Sequence, residues 1–361
     1  MLLIDDLLQM ACNLGVSDIH LSVNNVPVVR LNGELVFLDQ MPEDEVNPAW
    51  RQRLSLEDTK NLAEQVLKGH LLEKFQHDGE IDLSYSIAGL GRFRINVFRQ
   101  RGSTSMAIRP VKMVIPSLAG LGLPETASRL ARLPRGLVLV TGPTGSGKST
   151  TLAAMIDLLN TEARLHIITL EDPIEYVHRH RGCLINQREI GQDTLSFASA
   201  LRAAMREDPD VILVGEMRDL ETIAAAITAA ETGHLVLATL HTAGAAQTID
   251  RIIDVFPPYQ QQQIRVQLAA TIQGIIAQQL LPRQDGSARV AAVEIMITTP
   301  AIRNLIRESK TYQISSQLQT GAKFGMQTME SSLRNLYRAG IISRQEALNN
   351  AFDPDGLLRI L

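Results

Sequence analysis

Gly142-Pro143-Thr144-Gly145-Ser146-Gly147-Lys148-Ser149 fills every position of the pattern G-x-x-x-x-G-K-[ST]. An octet of this kind limits its surroundings to a strand, a phosphate-wrapping loop and a helix. The apolar run Leu137–Val140 leads into it and Thr150-Thr151-Leu152-Ala153-Ala154-Met155-Ile156 follows it, so the flanking strand and helix are both predicted. Three glycines let the backbone close around phosphates, which then face loop N–H groups and a helix N-terminus. Lys148 supplies a point charge for the β/γ-phosphates, and Ser149 a hydroxyl for Mg²⁺. ATP with Mg²⁺ is the expected ligand, held by Gly142 to Ser149 together with Thr150.

The texture around the octet is that of an α/β fold. Leu137–Val140, His166–Leu170, Val211–Val214 and Leu235–Leu240 are apolar without alternation, as strands buried on both faces are, and helical patterns separate them. This predicts a mostly parallel sheet with nucleotide at the strand C-terminal ends. The pattern begins near Ser117. Before it lies a smaller α+β part ending near Arg109-Pro110: an amphipathic helix over 3–14 with Leu3, Leu7, Leu8 and Cys12 on one face, then a hairpin around Asn32-Gly33. Met41–Leu54 reads as a polar loop, Leu56–Lys68 as a helix capped by Ser55, and Ile81–Ile87 with Gly91–Gln100 as antiparallel strands. After about Pro300 the chain turns mainly helical.

Composition removes several classes of function. A net charge of -4 gives no global basic field to recruit nucleic acid. Two cysteines, Cys12 and Cys183, are too few for a disulfide framework or a four-ligand zinc site. The acidic start Met1-Leu2-Leu3-Ile4-Asp5-Asp6 is unlike a signal peptide. No stretch approaches the roughly 18 consecutive apolar residues of a membrane span, so membrane contact is expected only through partners.

Three clusters follow buried strands where phosphoryl chemistry would use them. Glu171, Asp172 and Glu175 come after the second strand and can orient Mg²⁺ or polarise water, although acids at a solvated strand end need no ligand. Glu216 follows Val211–Val214 and is the main candidate for activating water, with Arg218 and Asp219 beside it in structural or intersubunit roles. His234 and His241 bracket Leu235–Leu240, and His241 is the candidate γ-phosphate sensor. In the small part Arg92, Arg94, Arg99, Arg101 and Arg109 crowd together. They are either solvated strand residues or arginine fingers reaching a neighbouring subunit's phosphates, with Arg94, Arg101 and Arg109 as the catalytic candidates.

Gly142–Thr150, Thr169–Tyr176, Val211–Asp219 and Gly233–Thr242, in that order, resemble the Walker A, Asp box, Walker B and His box of bacterial type II/type IV secretion ATPases. The resemblance runs from Ser17-Asp18-Ile19-His20 to Gly325-Met326-Gln327-Thr328, and Ala301–Glu308 (AIRNLIRE) is similar to a signature of the pilus-retraction branch. It implies a PAS-like N-terminal domain over 1–110, a linker over 111–118, a RecA-like ATPase domain over 119–300 and a helical region over 301–361. It also implies a homohexamer in the cytoplasm at the inner face of the bacterial inner membrane. The implied partners are an inner-membrane pilus platform protein and other pilus motor ATPases. Carried over position by position, Lys148, Ser149, Glu175, Glu216 and His241 become the nucleotide and catalytic set. The additional N-terminal domain and tetracysteine zinc site of extension motors have no counterpart here, and Met41–Leu54 is longer and more acidic than the family pattern.

The residues of the signature also satisfy an ordinary amphipathic helix. Thr299 caps it, Pro300 suits its first position, Ala301, Ile302, Leu305 and Ile306 share a face, and Arg303, Asn304, Arg307 and Glu308 take the other. The expected function is ATP-driven pilus retraction. The alternatives are a type II secretion or pilus-assembly motor, and an accessory nucleotide-binding module that docks on another motor.

Overall fold

A computed structural model describes residues 2–111 and 114–361. The chain divides into two compact units, Met1–Met113 and Val114–Leu361.

The first unit runs α1 (Ile4–Leu14), β1 (Asp18–Leu21), β2 (Val28–Leu31), β3 (Glu34–Phe37), α2 (Leu56–Val66), α3 (His70–Asp78), β4 (Glu80–Ile87), β5 (Gly91–Gln100) and β6 (Ser103–Pro110). Its antiparallel sheet has the order β3-β2-β1-β6-β5-β4. Asn32 and Gly33 turn the β2–β3 hairpin with φ of 51° and 91°, as that dipeptide favours. Ser55 and Asp58 form a reciprocal capping box on α2. Helix α1 buries Ile4, Leu7, Leu8 and Ala11, while Leu3 caps it and is exposed and Cys12 is half-buried. Its core stripe therefore keeps Leu7 and Leu8 and takes Ile4 and Ala11 in place of Leu3 and Cys12.

Met41–Leu54 is a correction. Far from a polar loop, it sends Met41, Val46, Trp50 and Leu54 into the same core as the sheet. Arg51 holds it in place by donating to the carbonyls of Asp39 (2.7 Å), Met41 (2.8 Å) and Pro42 (3.3 Å). Its acids and prolines face outward, and the four apolar anchors are too few among them to mark a helix or a strand.

The second unit contains α4 (Glu125–Ala131), β7 (Gly136–Thr141), α5 (Lys148–Glu162), β8 (His166–Glu171), β9 (Leu184–Glu189), α6 (Phe197–Ala204), β10 (Val211–Val214), α7 (Leu220–Glu231), β11 (Leu235–Leu240), α8 (Ala245–Asp254), α9 (Pro258–Thr271), β12 (Ile272–Pro282) and β13 (Arg289–Ile297). It closes with α10 (Pro300–Arg307), α11 (Ile314–Thr320), α12 (Met329–Arg338), α13 (Arg344–Asn349) and α14 (Pro354–Leu358). The sheet order is β13-β12-β7-β11-β10-β8-β9, parallel except for the β12–β13 hairpin. β7, β10 and β11 are buried at every position, consistent with helices covering both faces. Parallel register sets Thr141 beside Leu240 and Val214 beside both Ala238 and Leu170. The segments after β7, β8, β10 and β11 consequently leave one edge of the sheet together.

Past β13, Thr299 caps α10 with Pro300 in the first turn. Two parts of the amphipathic reading need correction. Ala301 is exposed, and only Ile302 and Ile306 reach the core fully. Arg303 is not on a free face: its guanidinium donates to the Ala269 and Ala270 carbonyls at the end of α9 and to Gln273 Oε1. The packed neighbour, invisible to a helical period, decides this. Helices α12 to α14 place Met329, Leu333, Ala347 and Leu357 against Leu281 and Ala292 of the hairpin.

Candidate functional site

The loop after β7 leads into α5, and Lys148, at the first position of that helix, folds back on it. Its Nζ donates to the carbonyls of Gly142 (2.8 Å) and Pro143 (3.0 Å). Burial pulls the ammonium below its ordinary pKa, and the nearby charges of Glu216 and Glu175 oppose that. The ammonium is thus partly desolvated, with two carboxylates in its field that favour its charged form.

The segment after β8 closes over the start of α5. Ser149 Oγ donates to Glu175 Oε1 at 3.0 Å, and the hydroxyls of Thr150 and Tyr176 are 2.9 Å apart. Glu171 takes a different part: it accepts from Thr169 Oγ1 (2.6 Å) and Gln187 Nε2 (3.1 Å), and burial pushes its carboxyl up. Of the acids in this segment, Glu175 is the one bonded to the loop helix.

Glu216 follows β10 and meets two partners. His241 Nε2 is 3.1 Å from Glu216 Oε1, and Arg218 Nε donates to the same oxygen. Asp219 instead caps α7 through the Thr222 N–H and hydroxyl, each 2.8 Å away. The histidine pair is divided. His234 has Nδ1 2.9 Å from the Ala229 carbonyl at the end of α7. It lies at the opposite end of β11 from His241, roughly 20 Å away at about 3.3 Å per residue.

The small-unit arginines are divided as well. Arg94 and Arg109 are register partners on β5 and β6, so their side chains leave the same face. Arg109 donates to Asp18 Oδ1 from Nε (2.8 Å) and Nη2 (2.7 Å), and Arg94 lies 3.8 Å from Asp82. Arg101, with φ 51°, turns the β5–β6 hairpin beyond Gln100, about 20 Å along the strands from Arg94. Arg99 stacks over Phe75, 5.6 Å from the ring centroid, and donates to the Gln76 carbonyl at 3.0 Å.

One residue of the loop's environment escapes a reading of motifs. Gln278, on β12, donates to the Ser146 carbonyl (2.7 Å) and accepts from the Thr151 hydroxyl (2.8 Å). The sequence does not single it out, because it is one of three glutamines, with Gln273 and Gln279, in Ile272–Leu281.

A family profile described as "Type II/IV secretion system protein" matches residues 1–347. The chain belongs to that family. Among curated members it is 47% identical over 352 residues to a Pseudomonas aeruginosa protein named "Type IV pilus retractation ATPase PilT", covering 98% of this chain and 99% of that one. A Neisseria gonorrhoeae "Twitching motility protein" is 48% identical over 331 residues, 92% of this chain and 86% of the relative. The crystal structure of the pilus retraction motor PilT with bound ADP superposes with a TM-score of 0.89 at 50% identity, covering 99% of this chain and 100% of that one. The fold is the one this family shares, an N-terminal domain with a RecA-like ATPase domain.

Proposed function

We propose that this chain is a motor ATPase of type IV pilus retraction. The observation that carries the proposal is near end-to-end similarity to a retraction ATPase, at 47% identity over 98% of the chain, joined to a phosphate loop with Glu216 and His241 beside it. In this reading ATP binds at Gly142 to Thr150 with Lys148 on its phosphates. Glu216 orients and deprotonates the attacking water, and His241 senses the γ-phosphate through its contact with Glu216.

Ser149 Oγ and the Glu175 carboxylate offer hard oxygen donors 3.0 Å apart, a donor set that fits Mg²⁺. Ser149 would hold the ion with the ATP phosphates, and Glu175 would orient it. When bound, Mg²⁺ would neutralise phosphate charge.

Six copies would form the working ring, with Arg94, Arg101 or Arg109 of one subunit supplying charge to a neighbour's phosphates. The ring would act in the cytoplasm, at the inner face of the bacterial inner membrane, on a pilus platform protein and alongside other pilus motor ATPases. Among the described residues no helix is long and apolar enough to cross a membrane, in keeping with attachment through partners.

The test uses Lys148→Ala in a piliated host and as purified protein. Hydrolysis should be lost, and cells should keep surface pili while losing twitching. Cells that instead lose their pili would identify an assembly motor, and wild-type turnover would remove the site from this loop.

A further inference from the structure

We propose that Gln278 is a positioning residue for ATP binding: its buried amide sets the orientation of the Ser146–Gly147 peptide and thereby aims the loop's N–H groups at phosphate. The inference rests on the reading of Gly142–Thr150 as the nucleotide site.

β12 runs parallel to β7 with Ala277 opposite Thr141, so Gln278 arrives beside the first residue of the loop. Its side chain is 3% exposed. Nε2 donates to the Ser146 carbonyl at 2.7 Å and Oε1 accepts from Thr151 Oγ1 at 2.8 Å. One amide therefore joins the last turn of the loop to the first turn of α5. A planar trans peptide carries its C=O and N–H in opposite directions. Holding the Ser146 carbonyl toward β12 turns the Gly147 N–H away from it, toward the open side of the loop.

The same residue accounts for two of the loop glycines. A Cβ at position 142 would collide with the Gln278 carbonyl oxygen, and one at 147 would come within 2.8 Å of its Nε2. Gly142 and Gly147 also have φ of 143° and 89°, which side chains rarely adopt. Position 147 is thus fitted to the glutamine side chain and position 142 to its backbone.

Without the amide, the buried Ser146 carbonyl has no partner and the peptide is free to rotate toward one. Only the fraction of molecules with the correct orientation then binds, so apparent affinity falls by that fraction, whereas a bound phosphate restores the geometry. KM should move and kcat should not.

The experiment uses the full-length protein. Steady-state ATP hydrolysis, binding of a fluorescent ADP analogue and nucleotide-free melting are measured for wild type, Gln278→Met, Gln278→Glu and Lys148→Ala. Gln278→Met should raise KM and the ADP Kd by about tenfold, for a competent fraction of about one-tenth, with kcat within about twofold. In Gln278→Glu a protonated carboxyl can donate and accept like the amide, whereas the carboxylate cannot donate. Its KM should therefore lie near wild type at about pH 6 and climb by about pH 9, relative to wild type at each pH. An unchanged KM in Gln278→Met would overturn the proposal. If that variant does not fold, a Gln278→Glu KM that keeps a constant ratio to wild type across pH overturns it. Lys148→Ala separates the two levels: wild-type ADP binding there would remove the site itself, whereas lost binding there with normal Gln278 variants would remove only the positioning role.

Discussion

His241 Nε2 stands 3.1 Å from Glu216 Oε1, joining residues that leave the ends of two adjacent parallel strands. Val214 and Ala238 are register partners, and each side chain emerges a few residues beyond. Because strand, register and turn all have to agree for that distance to exist, the pair ties the state of one segment to the other.

Glu216→Gln should retain nucleotide binding and lose turnover. The amide keeps the shape and the contact with His241 but is no base. Nucleotide affinity measured beside phosphate release decides the matter, and lost binding with residual catalysis would make Glu216 structural. Arg218, freed from a charge partner, should be the residue that moves.

Mixing subunits tests the arginines in trans. Arg94→Ala or Arg101→Ala protein combined with Lys148→Ala protein should recover some activity at interfaces that hold one intact half-site from each. Arginine fingers contribute about 10³–10⁵ in rate, so partial rescue is readily measured. The roughly 20 Å between Arg94 and Arg101 means that they cannot serve one phosphate group together. Rescue should therefore favour one of them, and purely additive defects would assign both to folding.

Arg303 and Arg307 should behave differently although both belong to α10. Burial pulls the Arg303 guanidinium below its ordinary pKa while it satisfies the last carbonyls of α9. Arg303→Ala leaves those carbonyls and Gln273 without a donor, a loss of about 1–3 kcal/mol. Arg307, exposed and bonded to Asn304 at 3.3 Å, should change stability by no more than about 0.5 kcal/mol. Denaturant titration of the two variants checks the difference. A motor defect in Arg307→Ala with intact hydrolysis would mark the free face of α10 as a coupling surface; unimpaired twitching would rule that out.

Glu294 on β13 should give stability a pH dependence. Burial pushes its carboxyl up to about 7 from 4.5, against the opposing hydrogen bond from Ala245 N–H. Between those values the folded chain keeps a proton that the unfolded chain has released. Its contribution is full below about pH 4.5 and is lost as pH rises to about 7. Glu294→Gln keeps the acceptor and removes the titration. Its stability relative to wild type should therefore grow over that window by up to about 3 kcal/mol, at about 1.4 kcal/mol per pKa unit. Melting curves of both proteins from about pH 5 to pH 8 measure this, and parallel curves would refute it.

Much of the second unit was legible because its information is local. The candidate phosphate loop is marked by glycine spacing, and strands buried on both faces by uninterrupted apolar runs, so the candidates Lys148, Ser149, Glu216 and His241 follow from their places at strand ends. The small unit was less open to such reading: Trp50 and Val46 enter the core from a segment whose prolines and acids hide any period.

The amino-acid sequence by itself determined the α/β class and the strands buried on both faces, because both follow from backbone sterics and burial over a few consecutive residues. Tertiary structure alone decided which members of each cluster meet. It put Glu175 on Ser149 and turned Glu171 inward, set His241 against Glu216 and His234 about 20 Å off, and bound Arg303 to the end of α9. Gln278 is the clearest instance. It lies 132 residues along the chain from the Ser146 carbonyl it holds, and no local pattern can specify a partner that parallel pairing of β12 with β7 brings beside the loop.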